Sequence, residues 1–107
     1  MKPTIQTIKA QKLEWHPDSV PMRWDKKEFD KYAKSLGKGW RVPSRKVLFN
    51  AFEDKVPGFK SGYYWSSTTF AGYSGLAWFV YFYGGSVFSG GFKDLPYFVR
   101  CVRSIPG

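Results

Sequence analysis

Chemistry at a protein site begins with groups that ionise near neutral pH, attack as nucleophiles or hold metals, and in this chain such groups are sparse. There is one histidine, His16, and one cysteine, Cys101. His16 sits in the loop-like stretch "HPDSVPM" with no evident partner, and is expected to face solvent rather than act as a general base. A single cysteine excludes a disulfide framework and a cysteine-based zinc site, and fits a reducing compartment or indifference to redox. From Tyr63 onward Asp94 is the sole acid, so the clustered carboxylates and amides of a calcium cage are missing there. No catalytic residue, metal site or cofactor site is assigned.

What the chain has in abundance is aromatic surface: 5 Trp, 7 Tyr and 10 Phe in 107 residues, more than so small a core absorbs. The run "AWFVYFYGGSVFSGGF", residues 77–92, carries no charge in a chain of formal net charge +9. Counted with the two-residue period of a strand, Trp78, Val80 and Phe82 share one face and Phe79, Tyr81 and Tyr83 the other. Gly84-Gly85, between Tyr83 and Ser86, is a hairpin turn signal, because both residues tolerate positive φ. Beyond it Val87 joins the first set, and Ser86 and Phe88 the second. One face is expected to be core; the other, rich in Tyr and Phe with Gly and Ser between, has the chemistry of an antibody contact surface.

These faces need elements to hold them. At this length a single domain, 1–107, is expected. "TIQTIKAQ" alternates from Ile5 to Ala10 and reads as an edge strand after Pro3. In "WDKKEFDKYAKSLGKG", Asp25 caps a helix with Glu28 three residues on. Trp24, Phe29, Tyr32, Ala33 and Leu36 form its apolar stripe, and Gly37 ends it. Ser44 caps a second helix, about Arg45 to Glu53, with Val47, Leu48, Ala51 and Phe52 inward. From Tyr63 onward strands take over: "YYWSSTT", "GLAWFVYFY", "SVFSGGF", "YFVRCVRS". The fold class is therefore α+β, two helices followed by a small twisted antiparallel sheet. No apolar stretch is long enough to span a membrane, and no signal peptide is read at the N-terminus, so a cytoplasmic or virion-associated location is expected.

The ordered set "GWRVPS", "YYWSSTT", "AW" and "VRCVR", over roughly residues 24–103, resembles the C-type lectin-like domains of the formylglycine-generating-enzyme superfamily. More narrowly it is similar to the DUF1566-like variable proteins of diversity-generating retroelements. Val47 stands where related domains often carry glutamate. The resemblance implies a C-type lectin-like fold with a variable region at about 70–98. Read from the residues themselves, Trp40, Arg41, Trp65, Trp78, Val80, Phe82, Val99 and Cys101 are expected to be scaffold, with Arg41 or a serine satisfying buried backbone groups. Formylglycine generation uses cysteines, and one cysteine does not support it.

Retroelement copying, as the family is understood, randomises adenines of asparagine codons, which never yields Lys, Glu, Gln, Met or Trp. Residues 1–69 hold 22 of those five types, whereas residues 70–98 hold two, Trp78 and Lys93. Strand composition also depletes Lys, Glu and Gln, but it does not account for Asp94, Pro96 and the many glycines of the same stretch. The expected ligand-binding set is Phe70, Tyr73, Phe79, Tyr81, Tyr83, Ser86, Phe88, Ser89, Phe92, Asp94, Leu95 and Tyr97.

The function expected is a non-enzymatic module, monomeric, binding a macromolecular partner, a protein surface first. The alternative is a single-stranded nucleic-acid binder, because 14 of the 17 basic residues lie in positions 1–60 and exposed rings stack on bases. Seven of the eight acids share that half, which fits a solvated helical face better than a phosphate track. A phage-encoded protein that blocks a host defence is a third reading on which these residues are silent.

Overall fold

The computed structural model describes residues 13–69, 72, 74–82 and 86–105, the last group's residues 86–90 by backbone alone. The expected strand at Ile5–Ala10, the Gly84-Gly85 turn, and Phe70, Tyr73 and Tyr83 lie outside the described residues. The elements run β1 (Leu13–Trp15), β2 (Val20–Met22), α1 (Lys26–Ser35), α2 (Arg45–Glu53), β3 (Tyr63–Thr69), β4 (Leu76–Tyr81), β5 (Ser86–Phe92), β6 (Tyr97–Val99) and β7 (Val102–Ser104).

Both helices start where their capping residues dictate. The Asp25 carboxylate accepts from the backbone N–H of Lys27 at 2.9 Å and of Glu28 at 3.1 Å, filling donors that the first helical turn leaves unpaired. Ser44 Oγ accepts from Val47 N–H at 3.3 Å. Phe29 and Ala33 are the buried residues of α1, and Leu48 and Ala51 those of α2, as the stripes require.

The sheets differ from the expectation in two ways. Among the described residues two strands precede the helices: Val20–Met22, within the stretch read as a loop, forms β2. Its Pro21 lacks an N–H, and the edge position in the order β2-β6-β3-β4-β5 tolerates that. The five-stranded sheet is also mixed. After β5 the chain returns to the far side of β3, so β6 lies parallel to β3, with Tyr64 opposite Phe98. A second sheet pairs β1 with β7, Trp15 opposite Val102, and ties the two ends of the described chain together.

Each face of the large sheet carries a core, a correction to the expectation that one face alone would. On one side Trp65, Ala77, Phe79, Val99 and Cys101 pack with Trp24, Phe29 and Ala33. On the other Tyr64 and Val80 pack with Leu48, flanked by Phe49, Phe52, Phe59, Phe82 and Phe98. The helices thus cover opposite faces, and both β4 faces are in use.

The ladders are interrupted around Trp78. The β3–β4 register shifts between Trp65 and Thr69, and the β4–β5 register shifts between Ala77 and Phe79. Tyr81 pairs with Ser86, Val80 with Val87 and Phe79 with Phe88 on the near side of the β5 irregularity. After the β5 irregularity Gly91 pairs with Ala77 and Phe92 with Leu76. The extra residue reverses the side-chain parity of the strand.

Candidate functional site

The open part of the Phe79 face is a row of tyrosines on three neighbouring strands: Tyr97 on β6, Tyr63 on β3 and Tyr81 on β4. The Tyr63 and Tyr81 rings stack at 4.5 Å between centroids with planes 18° apart. On its other side Tyr63 stacks with Tyr97 at 4.8 Å and 23°. Beneath lie Trp65 and Phe79, whose rings approach Tyr97 at 4.8 Å and 5.0 Å. Trp65 is fixed in turn, since its indole N–H donates to the carbonyls of Met22 at 3.0 Å and Leu95 at 3.1 Å. Tyr63 is 39% exposed, and Tyr81 and Tyr97 are half-buried. Burial, and then the neighbouring Tyr63, raise the Tyr97 hydroxyl above the usual phenol range, so it stays protonated and offers both a donor and an acceptor.

The expected contact residues separate into groups. Phe79 is a correction. It is 7% exposed, because Trp65 and Tyr97 close over it while the helix-side residues of its face form a core. Tyr81 and Tyr97 stand in the row, and Leu95 packs half-buried beside it. Ser86 and Phe88 extend the ladder as the partners of Tyr81 and Phe79, and Ser89 sits at the irregularity. Phe92, 64% exposed, and Asp94 are open, but Phe92 pairs opposite Leu76, so it is displaced from the row by the parity reversal. Tyr63 was outside the expected set because it precedes residue 70. The only sequence signal for it was its place at the start of "YYWSSTT", where an outward residue on β3 meets an outward residue on β4.

The scaffold residues also divide. Trp65, Val80, Val99 and Cys101 are fully buried. Phe82 is half-buried. Trp78 is half-buried too, a correction to its expected core position. Both neighbouring ladders shift register opposite it, and the Arg45 guanidinium lies 4.2 Å from its ring centroid. Trp40 packs edge-on to His16 at 5.1 Å, with the Arg103 guanidinium 4.5 Å from its ring centroid.

Arg41 is exposed. Besides the Trp65 indole, groups that satisfy backbone carbonyls include Ser66, whose Oγ donates to Trp78 O at 2.7 Å, and Arg100, which was not anticipated. Arg100, 6% exposed, donates from Nε to His16 O at 2.6 Å and from Nη1 to Pro57 O at 2.9 Å. His16 is consequently half-buried rather than free in solvent, and its Nδ1 accepts from Asp18 N–H at 3.2 Å. Burial pushes the Cys101 thiol up to about 11, which keeps it protonated and unreactive at neutral pH. Among the described residues no helix is long and apolar enough to cross a membrane.

The family model of the Lcl C-terminal domain matches residues 6–103, and the chain belongs to that family, which is DUF1566-like and associated with retroelement variable proteins. No curated protein sequence matches the chain significantly.

Proposed function

We propose that this Lcl C-terminal domain is a non-enzymatic binding module on a C-type lectin-like scaffold. Its aromatic face, centred on Tyr63, Tyr81 and Tyr97, contacts a protein surface, and the segment at about 70–98 is diversified by a retroelement. The observation that carries this reading is the stacked tyrosine row over a buried Trp65 and Phe79 floor. Stacking holds the rings in place before a partner arrives, so little side-chain freedom is left to lose on contact. The hydroxyls stand ready to bond at the rim.

The Tyr63 ring has a tyrosine on each face, which leaves neither face for a base. Several cations of the sheet region are likewise engaged: Arg45 over Trp78, Lys93 over Trp24, Arg103 with Glu14, and Arg100 on backbone carbonyls. Both points favour protein over single-stranded nucleic acid. Within the variable segment the buried Phe79 and Gly91 belong to the constant part, and Tyr81, Ser86, Phe88, Ser89, Phe92, Asp94, Leu95 and Tyr97 to the part that changes.

The neighbouring DNA tests the reading. It should encode a reverse transcriptase and hold a near-copy of the segment for residues 70–98, with adenines where the two copies differ. A locus with neither would overturn the retroelement assignment.

A further inference from the structure

We propose a second ligand site on the opposite side of the sheet from the tyrosine row. It is the groove between the C-terminal end of α2 and the connector at 56–61, and it fits a peptide segment that presents an aromatic side chain beside a carboxylate. The groove has a volume of about 280 Å³, comparable to a small ligand pocket. Its floor is three phenylalanines. Phe59 and Phe82 stack at 4.0 Å with planes 9° apart, and Phe52 meets Phe82 edge-on at 5.6 Å. All three are half-buried, so a rigid apolar surface is left within reach of solvent.

The charge at the rim is of one sign. Lys55 and Lys60 line the groove and none of its other lining residues is acidic. Neither lysine has a carboxylate within 4.0 Å among the described residues. Asp54 lines the neighbouring cleft with Leu13 and Trp15 instead.

The carbonyls at the end of α2 do not repel an anion here, because the chain closes on them. Lys55 N–H donates to Phe52 O at 3.1 Å and Val56 N–H to Ala51 O at 3.0 Å, a Schellman closure. That closure needs a left-handed residue, and Lys55 takes it at φ 55° where glycine would adopt it freely. A lysine held in that strained conformation at the mouth of an aromatic groove is a local cost of the kind that accompanies a binding role. Apart from Phe82 the lining precedes the 70–98 segment, so on the reading proposed above most of this site stays constant while Tyr81 and Tyr97 vary. It suits a partner common to every variant.

The test is an amide NMR titration of the full chain with N-acetyl-Asp-Phe amide. N-acetyl-Asn-Phe amide removes the carboxylate, and N-acetyl-Asp-Gly amide removes the ring. Saturable shifts are expected at Lys55, Phe59, Lys60, Ser61 and Phe82, with either control binding about fivefold more weakly. Lys55→Gln with Lys60→Gln should lower the Asp-Phe probe's affinity by about the same factor, with the thermal unfolding midpoint retained. No saturable shift at these amides, equal responses to the three probes, or shifts spread along the lysines of α1 would each overturn the proposal. Tyr63, Tyr81 and Tyr97 report separately, so failure of this site leaves the protein-contact reading to its own test.

Discussion

At the scale of single residues, burial decides which aromatic side chains carry stability and which are free to carry contacts. Phe79 and Tyr81 are two residues apart on one strand face, yet Phe79 lies beneath Tyr97 and Trp65 while Tyr81 stands at the open end of the row. Phe79→Ala should cost about 3–5 kcal/mol, the usual loss for a buried ring. Tyr81→Ala gives up a stacked, half-exposed ring and should cost about 1–2 kcal/mol. Urea unfolding of the two variants measures both, and equal costs would place Tyr81 in the core.

Cys101 gives a pH test of burial, in a window whose upper end it shares with Tyr32 and Tyr97, whose phenols burial also raises. Its thiol ionises at about 11 in the fold against 9.0 ordinarily. Below pH 9 both states keep the proton and the thiol's contribution is intact. As pH rises from 9 towards 11 the unfolded chain ionises first, so stability falls over that window. Unfolding free energies measured across it should decline, and a thiol reagent at pH 8 should react only after unfolding. Rapid reaction of the folded protein would contradict the buried assignment.

At the scale of elements, the irregularity in β5 sets Gly91 against Phe79 and turns Phe92 to the other face of the sheet. A Cβ at Gly91 would lie 2.6 Å from Phe79 Cδ1 and 2.9 Å from Trp65 Cζ3, closer than such atoms approach. Gly91→Ala should therefore destabilise by about 1–3 kcal/mol through overpacking, measurable by thermal unfolding. A neutral result would mean that β5 lies further from Phe79 than described. Conversely Lys55→Gly, which relieves a left-handed lysine, should stabilise by about 0.5–1 kcal/mol.

The helices were legible in the sequence down to Asp25 and Ser44, because capping and a 3.6-residue stripe are local signals. The sheet was legible as strands but not as a whole. Period-two counting from Val80 and Phe88 held as far as the irregularity, then assigned Phe92 to the wrong side, since one extra residue leaves no mark in composition. Tyr63 escaped for a different reason. Its neighbours Tyr81 and Tyr97 are far along the chain and meet it only once β6 has been placed beside β3. Arg100 looked like one basic residue among 17 until its two carbonyl partners, from distant loops, were in view.

At the scale of the whole molecule, α1 and α2 cover opposite faces of one mixed sheet and leave the tyrosine end of one face open, so the proposed contact surface lies apart from both cores. A net charge of +9 would draw in polyanions at low salt regardless of this surface. The proposed protein contact through the row would be mostly apolar and should be nearly unchanged between low and moderate ionic strength, whereas a nucleic-acid complex would weaken steeply. The most direct test of the account is a display experiment with two libraries scored for folding by protease resistance. One is randomised at Tyr81, Ser86, Phe88 and Tyr97, and the other at Trp65, Phe79, Val80 and Gly91. The account predicts that most members of the first stay folded and few of the second do; equal loss of folding in both would contradict it.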